Sequence, residues 1–253
     1  MEKILNIYKP LGMTTVQALE EFKNKNPEYQ NVPLAYTGRL DPMAEGVLVV
    51  LAGKERYNAK KYQKLNKEYL AKILFGFSTD SYDLLGIIKK ESIPEVKEND
   101  IERILKKYEG RINLPLPSYS SYRIRGKPMF HLARKGELHK KDIPEKEMVV
   151  YETKLENFYE ILSSGLHKYI RDTIRKVKGD FRQEEILVNW ERIFKKSEQK
   201  IFPLAEITFK VSGGTYIRSI ANDLGKKLKT EALLYHLKRT QVGKFTEESS
   251  VII

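Results

Sequence analysis

Six consecutive apolar residues at positions 47–52, Val-Leu-Val-Val-Leu-Ala, restrict the possible folds more than any other stretch of this chain. The run has the length of a β-strand and falls far short of the ~20 apolar residues that a membrane-spanning helix needs. A strand without polar positions is buried on both faces, so it belongs inside a sheet that is covered on both sides. The chain is therefore expected to be a soluble protein with no membrane partner.

Patterns typical of strands and of helices follow one another along the rest of the chain without a regular strand–helix–strand repeat. Besides 47–52, strands are predicted at 4–8, 69–77 and 202–212. Helices are predicted at 16–25, where Thr14 and Gln17 form a capping box, and at 100–108 and 217–228. The expected fold class is α+β, with a mixed, largely antiparallel central sheet and flanking helices.

A stretch at about 160–199 differs from the remainder because it is dense in Lys, Arg and Glu. Its apolar residues, such as Ile170, Ile174 and Val177, recur at helical spacing. We interpret this stretch as a basic helical insertion in a single domain that covers residues 1–253.

The balance of charges favours a polyanionic partner. The chain has 46 Lys and Arg residues against 34 Asp and Glu residues, so its formal net charge is +12. Cations that neutralise phosphates release condensed counterions, which drives binding, although a basic composition does not by itself identify nucleic acid. The N-terminal residues lack the features of a secretory signal, so a cytoplasmic location is expected.

Several kinds of site are excluded by what the sequence lacks. There is no cysteine, and the four histidines (His131, His139, His167 and His236) lack the spacing of a metal site, so no metal is expected. Phosphate-loop, dinucleotide-binding and Gly-x-Ser-x-Gly hydrolase motifs are absent. The chemistry is left to carboxylate, Tyr, Lys or Arg side chains.

The segment 37–42, Thr-Gly-Arg-Leu-Asp-Pro, is the best candidate for a reactive loop. Gly38 lets a ligand approach the backbone, and Pro42 removes chain freedom next to Asp41, so the carboxylate is preorganised. An ordinary Asp-Pro turn would give the same pattern. Taken alone, Tyr69 also fits a core aromatic residue, and Arg218 fits a solvated arginine at the start of a helix.

Several motifs that occur together in a fixed order favour a functional role for these residues over a structural one. Residues 37–48 resemble the Thr-Gly-x-Leu-Asp-Pro-x-Ala-x-Gly-Val-Leu motif of TruB-type tRNA pseudouridine synthases. Six further blocks agree with this family: Lys9-Pro10-x-Gly12-x-Thr14; Lys67-Glu68-Tyr69; Thr79-Asp80-x-x-Asp83-x-x-Gly86; a block from Pro117 to Gly136; Gly214-Thr215-Tyr216-Ile217-Arg218; and Leu237-x-Arg239-Thr240-x-x-Gly243-x-Phe245. The resemblance covers nearly the whole chain except 160–199.

The resemblance implies an active site made of Asp41, Tyr69 and Arg218, with no cofactor. Asp41 acts either as a nucleophile towards the sugar or the base, or as the base that removes a ribose proton. Arg218 keeps Asp41 ionised, and Tyr69 stacks on a uracil that is flipped out of the RNA. The residues expected to bind substrate are Lys9, Tyr36, Gly38, Tyr216, Arg123, Lys127 and Arg134.

Two features depart from the family pattern. Tyr36 stands where the family usually has a His that positions substrate, so its hydroxyl is expected either to replace that contact or to alter the choice of target. The chain ends at Ile253, soon after the Gly243-x-Phe245 block. The small C-terminal RNA-binding (PUA) domain of many relatives is therefore expected to be missing, and the stretch at 160–199 to compensate in part.

The resemblance implies a monomeric, cytoplasmic enzyme that isomerises uridine to pseudouridine at position 55, in the TΨC loop of tRNA. A hypothesis from another class is a non-catalytic tRNA-binding protein or folding chaperone on the same scaffold. Under that hypothesis, Tyr36 would mark the loss of catalysis. The presence of Asp41, Tyr69 and Arg218 together favours the enzyme.

Overall fold

The computed structural model describes residues 3–195 and 200–253. Within these residues a ten-stranded sheet is flanked by helices, and two small sheets have two strands each. The strands are β1 (Ile4–Lys9), β2 (Leu34–Tyr36), β3 (Ala44–Ala52), β4 (Lys67–Phe75), β5 (Phe77–Thr79), β6 (Ile88–Glu91), β7 (Gly110–Pro115), β8 (Arg123–Ile124), β9 (Lys127–Pro128), β10 (Glu145–Leu162), β11 (Ile201–Val211), β12 (Ala232–Val242), β13 (Phe245–Thr246) and β14 (Val251–Ile252).

The α-helices of the described residues are α1 (Thr15–Lys25), α2 (Ala59–Gln63), α3 (Glu98–Leu105), α4 (Met129–Arg134), α5 (Ser163–Arg175), α6 (Gln183–Lys195) and α7 (Ile217–Lys227). Short 3-10 helices occupy Pro27–Tyr29, Gly53–Asn58, Lys106–Tyr108 and Lys140–Asp142. In this part of the chain, no helix combines the length and the apolar character that crossing a membrane requires.

The large sheet is mixed and mostly antiparallel. Its hydrogen-bonded order is β14-β1-β3-β12-β4-β11-β10-β7, with β2 attached to β3 and β13 attached to β12. The pairs β1–β14 and β3–β12 are parallel, and the other pairs are antiparallel. The predicted α+β class and sheet type are therefore confirmed.

The apolar run in β3 lies inside the sheet, between β1 and β12, as its composition predicts. Leu48 and Val50 pack with Phe22 of α1 on one face of the strand. Val47 and Val49 pack with other apolar residues on the opposite face. Both faces are covered, which explains why the run contains no polar position.

The strand predicted at 69–77 is correct only as far as Phe75. Gly76 follows with φ +104°, a conformation that L side chains rarely adopt, and the backbone turns away from the large sheet. Phe77 therefore packs in a different part of the core from Tyr69, against the ring of Trp190 at 5.2 Å between centroids.

The stretch predicted as a helical insertion begins later than expected. β10 continues to Leu162 and pairs with β11 there, so the helical part starts at Ser163, and residues 196–199 lie outside the described residues. Ile170 of α5 and Trp190 of α6 belong to the same apolar cluster as Leu204 of the large sheet. The two helices thus share the core of the sheet, and their origin as an insertion stays a prediction.

The positive charge of this stretch is concentrated in its first half. Between residues 163 and 178 the sequence has five Lys or Arg residues and one Asp, whereas α6 has three Glu residues against one Arg and one Lys. The expectation of a basic element therefore fits α5 and the loop after it, but not α6.

Candidate active site

The loop that carries Asp41 connects β2 to β3 and is fixed at both ends by hydrogen bonds. Thr37 donates from its backbone N–H and from its hydroxyl to the carbonyl oxygen of Val49, at 3.0 and 3.1 Å. The N–H of Gly12 donates to the carbonyl oxygen of Pro42 at 2.8 Å. The Asp41 side chain is thus presented from a nearly rigid backbone, as catalysis by a positioned group requires.

Arg239 of β12 holds the same loop from the inside of the protein. It is almost completely buried, and it donates from Nε to the carbonyl oxygen of Val47 at 2.7 Å and from Nη2 to that of Gly38 at 3.1 Å. Gly46 pairs with Arg239 in the parallel ladder, and a Cβ at Gly46 would collide with the Arg239 backbone. The glycine therefore allows β3 and β12 to approach closely behind the reactive loop.

Lys9 lies at the end of β1 and has no exposed surface. Its Nζ donates to the carbonyl oxygens of Pro10 and Met13, at 3.0 and 2.7 Å. Burial lowers the pKa of its ammonium to about 7, although Asp41 acts in the opposite direction. The prediction that Lys9 binds substrate is wrong, because a phosphate cannot reach a fully buried side chain. Lys9 instead holds the turn that contacts the reactive loop.

Asp41 forms an ion pair with Arg218, the second residue of α7. The distance from Arg218 Nη2 to Asp41 Oδ2 is 2.8 Å, and the side chains are 5% and 38% exposed, respectively. Arg218 also donates to the carbonyl oxygens of Ser81 at 2.8 Å and Tyr119 at 3.2 Å. Burial opposes the charge of Arg218, yet the neighbouring carboxylates Asp41 and Asp83 leave its pKa above the ordinary value.

A second carboxylate, Asp83, lies on the buried side of the same guanidinium. Its Oδ2 is 3.7 Å from Arg218 Nε, and its Oδ1 accepts hydrogen bonds from the Ser81 hydroxyl at 2.6 Å and the Leu85 N–H at 3.0 Å. Burial raises the pKa of the Asp83 carboxyl to about 6, against the opposing effect of Arg218. Arg218 therefore lies between two carboxylates: Asp41, which faces the cavity, and Asp83, which is buried.

A cavity of about 370 Å³ opens in front of the ion pair. Its lining includes Tyr36, Asp41, Lys67, Tyr69, Tyr216 and Arg218. The ring of Tyr69 is largely buried in the wall, and the Tyr36 hydroxyl accepts a hydrogen bond from Arg39 Nη2 at 2.9 Å. The volume suits a small organic ligand. A carboxylate paired with an arginine can act there as a nucleophile or a general base on a ligand with a flat ring.

A second cavity of about 330 Å³ lies on the other side of Asp41 and Arg218. Arg134 and Arg182 are among its lining residues. Arg182 forms an ion pair with Asp80, at 2.9 Å between Nη1 and Oδ2, and Arg134 lies over the ring of Phe181. The loop after α5 is therefore part of the wall of this second cavity.

The structure brings most of the predicted site residues together. Those that line the first cavity are Tyr36, Gly38, Asp41, Tyr69, Tyr216 and Arg218. Arg134 lines the second cavity. Arg123 and Lys127 line neither cavity and lie exposed on the β8–β9 hairpin, whose turn residues Arg125 and Gly126 have φ values of +51° and +77°. Their contact with phosphates stays a prediction.

Three residues of the site were not assigned a role from the sequence: Lys67, Asp83 and Arg239. All three lie inside the motif blocks quoted above, so their positions were noticed but not their burial. A signal exists for Lys67, because the period-two pattern of 69–75, continued back by two residues, places Lys67 on the same face as Tyr69.

Comparison with known protein families agrees with this arrangement. The family model described as TruB family pseudouridylate synthase (N terminal domain) matches residues 29–174, which is more than half of the chain. The matched region contains Tyr36, Asp41 and Tyr69, and Arg218 lies beyond it.

Curated relatives match almost the whole chain. The tRNA pseudouridine synthase B of Fusobacterium nucleatum is 32% identical over 248 residues, an alignment that covers 98% of this chain and 70% of the relative. The tRNA pseudouridine synthase B of Clostridium tetani is 30% identical over 252 residues, covering 99% of this chain and 71% of the relative.

Solved structures share the fold at lower identity. A chain of a Cbf5-Nop10-Gar1 complex gives a TM-score of 0.59 at 20% identity, covering 99% of this chain and 52% of its own length. A chain of an H/ACA RNP bound to a substrate RNA containing 2'-deoxyuridine gives 0.55 at 20% identity, covering 99% and 50%. This chain thus spans about half the length of both structures, and the likeness shows the fold alone. From the family match and the relatives, the chain belongs to the TruB family of pseudouridylate synthases.

Proposed function

We propose that this protein converts a uridine of tRNA into pseudouridine, and that the target is the uridine at position 55 in the TΨC loop. The observation that carries the proposal is the 2.8 Å ion pair between Asp41 and Arg218 in a cavity that Tyr69 lines. The two relatives described above are named tRNA pseudouridine synthase B, which supports tRNA as the substrate. The position follows from the resemblance of the motifs.

Asp41 is the proposed reactive group. Formation of pseudouridine breaks the bond between the uracil and the ribose, turns the base and rejoins it through carbon, so no other reactant is consumed. Asp41 supports this reaction either as a nucleophile towards the sugar or the base, or by removing a ribose proton, and in each route it must be ionised. Arg218 maintains that charge when a bound nucleoside displaces water from the cavity.

Tyr69 is the proposed stacking platform for the target base. Extrusion of a uracil from a folded RNA loop costs a few kcal/mol. Stacking of a base on an aromatic ring contributes about 1–3 kcal/mol, so Tyr69 offsets much of that cost. Tyr36, whose hydroxyl accepts a hydrogen bond from Arg39, is the proposed rim contact that replaces the histidine usual in the family.

The remaining affinity is proposed to come from phosphate contacts. The net charge of +12 supplies long-range attraction to tRNA. Arg123, Arg125 and Lys127 on the exposed hairpin, together with Arg134 beside the second cavity, are the proposed contacts on one side of the active site. A monomer is expected to suffice, because all the named groups belong to one chain. We expect the protein to act in the cytoplasm.

The direct test is incubation of the purified protein with an unmodified tRNA transcript, followed by mapping of pseudouridine along the RNA. We expect a single product at position 55. A tRNA in which that uridine is replaced by cytidine serves as the matched control. Tight binding without any product would overturn the proposal in favour of a tRNA-binding or folding protein, and product at another position would overturn the choice of target.

Asp41→Asn separates catalysis from binding. We expect this variant to lose turnover and to keep its tRNA affinity within about tenfold, because phosphate contacts and stacking supply most of the binding energy. Single-turnover rates and dissociation constants measured with the same transcript check both parts. If affinity were lost together with turnover, Asp41 would be a structural residue.

A further inference from the structure

Lys67 and Arg239 are buried cations in the wall of the first cavity, and no carboxylate of the described residues forms an ion pair with either. Their exposed fractions are 5% and 1%. Lys67 Nζ donates to the carbonyl oxygens of Gln63 and Leu65, at 2.8 and 2.6 Å, and Arg239 likewise donates to backbone carbonyls. In the part of the chain that the structure describes, neither forms an ion pair. Burial of an unpaired cation costs free energy, so we expect these buried cations to serve a function that offsets the cost.

Lys67 lies next to the proposed stacking platform. Residues 67 and 69 are both buried and lie on the same face of β4, and Arg239 of β12 is directly opposite Tyr69. Lys67 Cε is 3.7 Å from the point that a Cβ on Gly38 would occupy, so the side chain also reaches the loop that carries Asp41. Lys67, Tyr69 and the loop that carries Asp41 therefore line the same cavity.

The charges of the site are distributed unequally. Arg218 faces two carboxylates, Asp41 and Asp83, whereas the charged groups that act on Lys67 are the cations Arg239 and Lys146. An ammonium has three N–H donors, and the two carbonyl oxygens use two of them. Within the described residues, the Lys67 ammonium thus has a positive charge without a paired carboxylate and one N–H donor without a protein acceptor.

We propose that the Lys67 ammonium binds a carbonyl oxygen of the extruded uracil and stabilises the negative charge that the base acquires during the reaction. This role rests on the proposed function and adds a second catalytic group to it. A donor that is fixed where charge develops and is shielded from water stabilises the transition state far more than the same contact does in bulk solvent.

The chemistry requires this stabilisation in each route open to Asp41. When the bond between N1 and C1′ breaks, its electron pair stays on the uracil, and the charge spreads to N1, O2 and O4. The ribose is compensated by a bond to Asp41 or by loss of a proton to it. If Asp41 instead adds to the base, the resulting enolate carries the charge. The new bond between C5 and C1′ later uses electrons of the base. C5 then releases its proton, N1 takes up a proton, and a ribose proton held by Asp41 is returned, so no further reactant is needed. Lys67 keeps its proton throughout.

The proposal predicts a loss of rate at high pH. Burial lowers the pKa of Lys67 to about 8, and Arg239 on β12 and Lys146 on β10 act in the same direction. An ammonium is charged below its pKa, so the stabilising charge is present at neutral pH and disappears as pH rises through 8. The neutral amine can still donate to the carbonyl oxygens of Gln63 and Leu65, so a purely structural role would not produce this fall.

The experiment compares Lys67→Met, Lys67→Arg and the exposed control Lys64→Met on the unmodified tRNA transcript, with thermal unfolding of each variant. We expect Lys67→Met to lower the single-turnover rate by about 100-fold with the dissociation constant within about threefold, since loss of one such donor costs about 10²–10³ in rate. Lys67→Arg retains a permanent cation, so its rate stays within about tenfold of wild type and does not fall as pH rises through 8.

The outcomes separate this role from the proposed function. Inactive wild-type protein would overturn both. An active wild type with a Lys67→Met rate within threefold of it would overturn only the role of Lys67. The same holds if Lys67→Arg keeps the fall in rate near pH 8, because another group would then be titrating. If Lys67→Met does not fold, the pH profiles of wild type and Lys67→Arg decide alone.

Discussion

Arg218 is the residue on which the electrostatics of the site depend, because its two carboxylate partners lie in different environments. Asp41 faces the cavity, while Asp83 is buried and contacts the guanidinium from the other side. Together with the carbonyl oxygens of Ser81 and Tyr119, Asp83 holds the guanidinium independently of Asp41. Asp83 thus keeps Arg218 in place as a fixed counter-charge to Asp41.

Asp83→Asn tests this division of roles, because it keeps the side-chain shape and removes the charge. We expect kcat for pseudouridine formation to fall by about tenfold, equivalent to roughly 1.4 kcal/mol. The pKa of Asp83 is raised to about 6 by burial, so the wild-type carboxyl is ionised above pH 6 and becomes neutral as pH falls through it. Wild-type kcat should therefore decrease below pH 6, and this acid limb should be absent from the variant.

The control for this comparison is Asp100→Asn, which removes an exposed carboxylate whose partner is Arg103. Surface ion pairs of this kind contribute little, so its pH–rate profile should match that of wild type. An acid limb that persists in Asp83→Asn would show that a group other than Asp83 is titrating.

At the scale of single elements, α1 links local sequence to the position of the site. Its capping box is formed as predicted, with the Gln17 N–H donating to the Thr14 hydroxyl at 3.2 Å and the Thr14 N–H donating to the Gln17 side chain at 2.9 Å. The turn that precedes the cap contains Gly12, whose N–H donates to the carbonyl oxygen of Pro42. The start of this helix is therefore coupled to the reactive loop.

Thr14→Ala should lower the free energy of unfolding by about 1 kcal/mol, because the Gln17 N–H at the start of α1 loses its hydroxyl acceptor. Thr14→Ser keeps a hydroxyl and should remain within about 0.5 kcal/mol of wild type. Denaturant titration of the three proteins measures both differences. Equal destabilisation by Ala and Ser would mean that the methyl group of Thr14, rather than its cap, carries the effect.

The elements that could be predicted are those with a regular period or an uninterrupted apolar run. β3 and α7 follow their patterns closely, whereas β10, an 18-residue strand, is not predicted, and its last residues fall in the stretch predicted as helical at 160–199. Its register shifts at Val150/Glu152 and Leu155/Asn157 interrupt the alternation of faces on which strand prediction depends. The short strands β8 and β9 carry too few residues to show any period.

At the scale of the whole molecule, the site could be predicted only as a set of motifs. The sequence separates Asp41 from Arg218 by more than 170 positions, and periodicity carries no information about which distant segments meet. The resemblance groups Asp41, Tyr69 and Arg218, and the structure places these three residues at one cavity. The net charge favours Lys9 as a phosphate contact, but its ammonium is buried and holds a turn. Because lysines are rarely buried, composition gives no sign of this.

The helices α5 and α6 also need the whole structure to be interpreted. Ile170, Ile174 and Trp190 pack against the sheet, so deletion of 160–199 would expose the core instead of testing RNA contact. The loop after α5 donates from the Lys178 N–H to the carbonyl oxygen of Gly12, and it continues into the wall of the second cavity. We therefore expect RNA that approaches the second cavity to contact the exposed cations of α5 as well.

A double charge reversal tests this path without disturbing the core. Lys168 and Arg175 are exposed and seven residues apart on α5, so they share one face of the helix. Each phosphate contact contributes about 0.7–0.9 to the slope of log K against log salt concentration, so Lys168→Glu/Arg175→Glu should reduce that slope by about one to two. Lys106→Glu/Lys107→Glu changes the net charge equally on an exposed turn that lines neither cavity, and should leave most of the slope intact. Equal reductions in both variants would assign the effect to net charge alone and leave α5 without a contact.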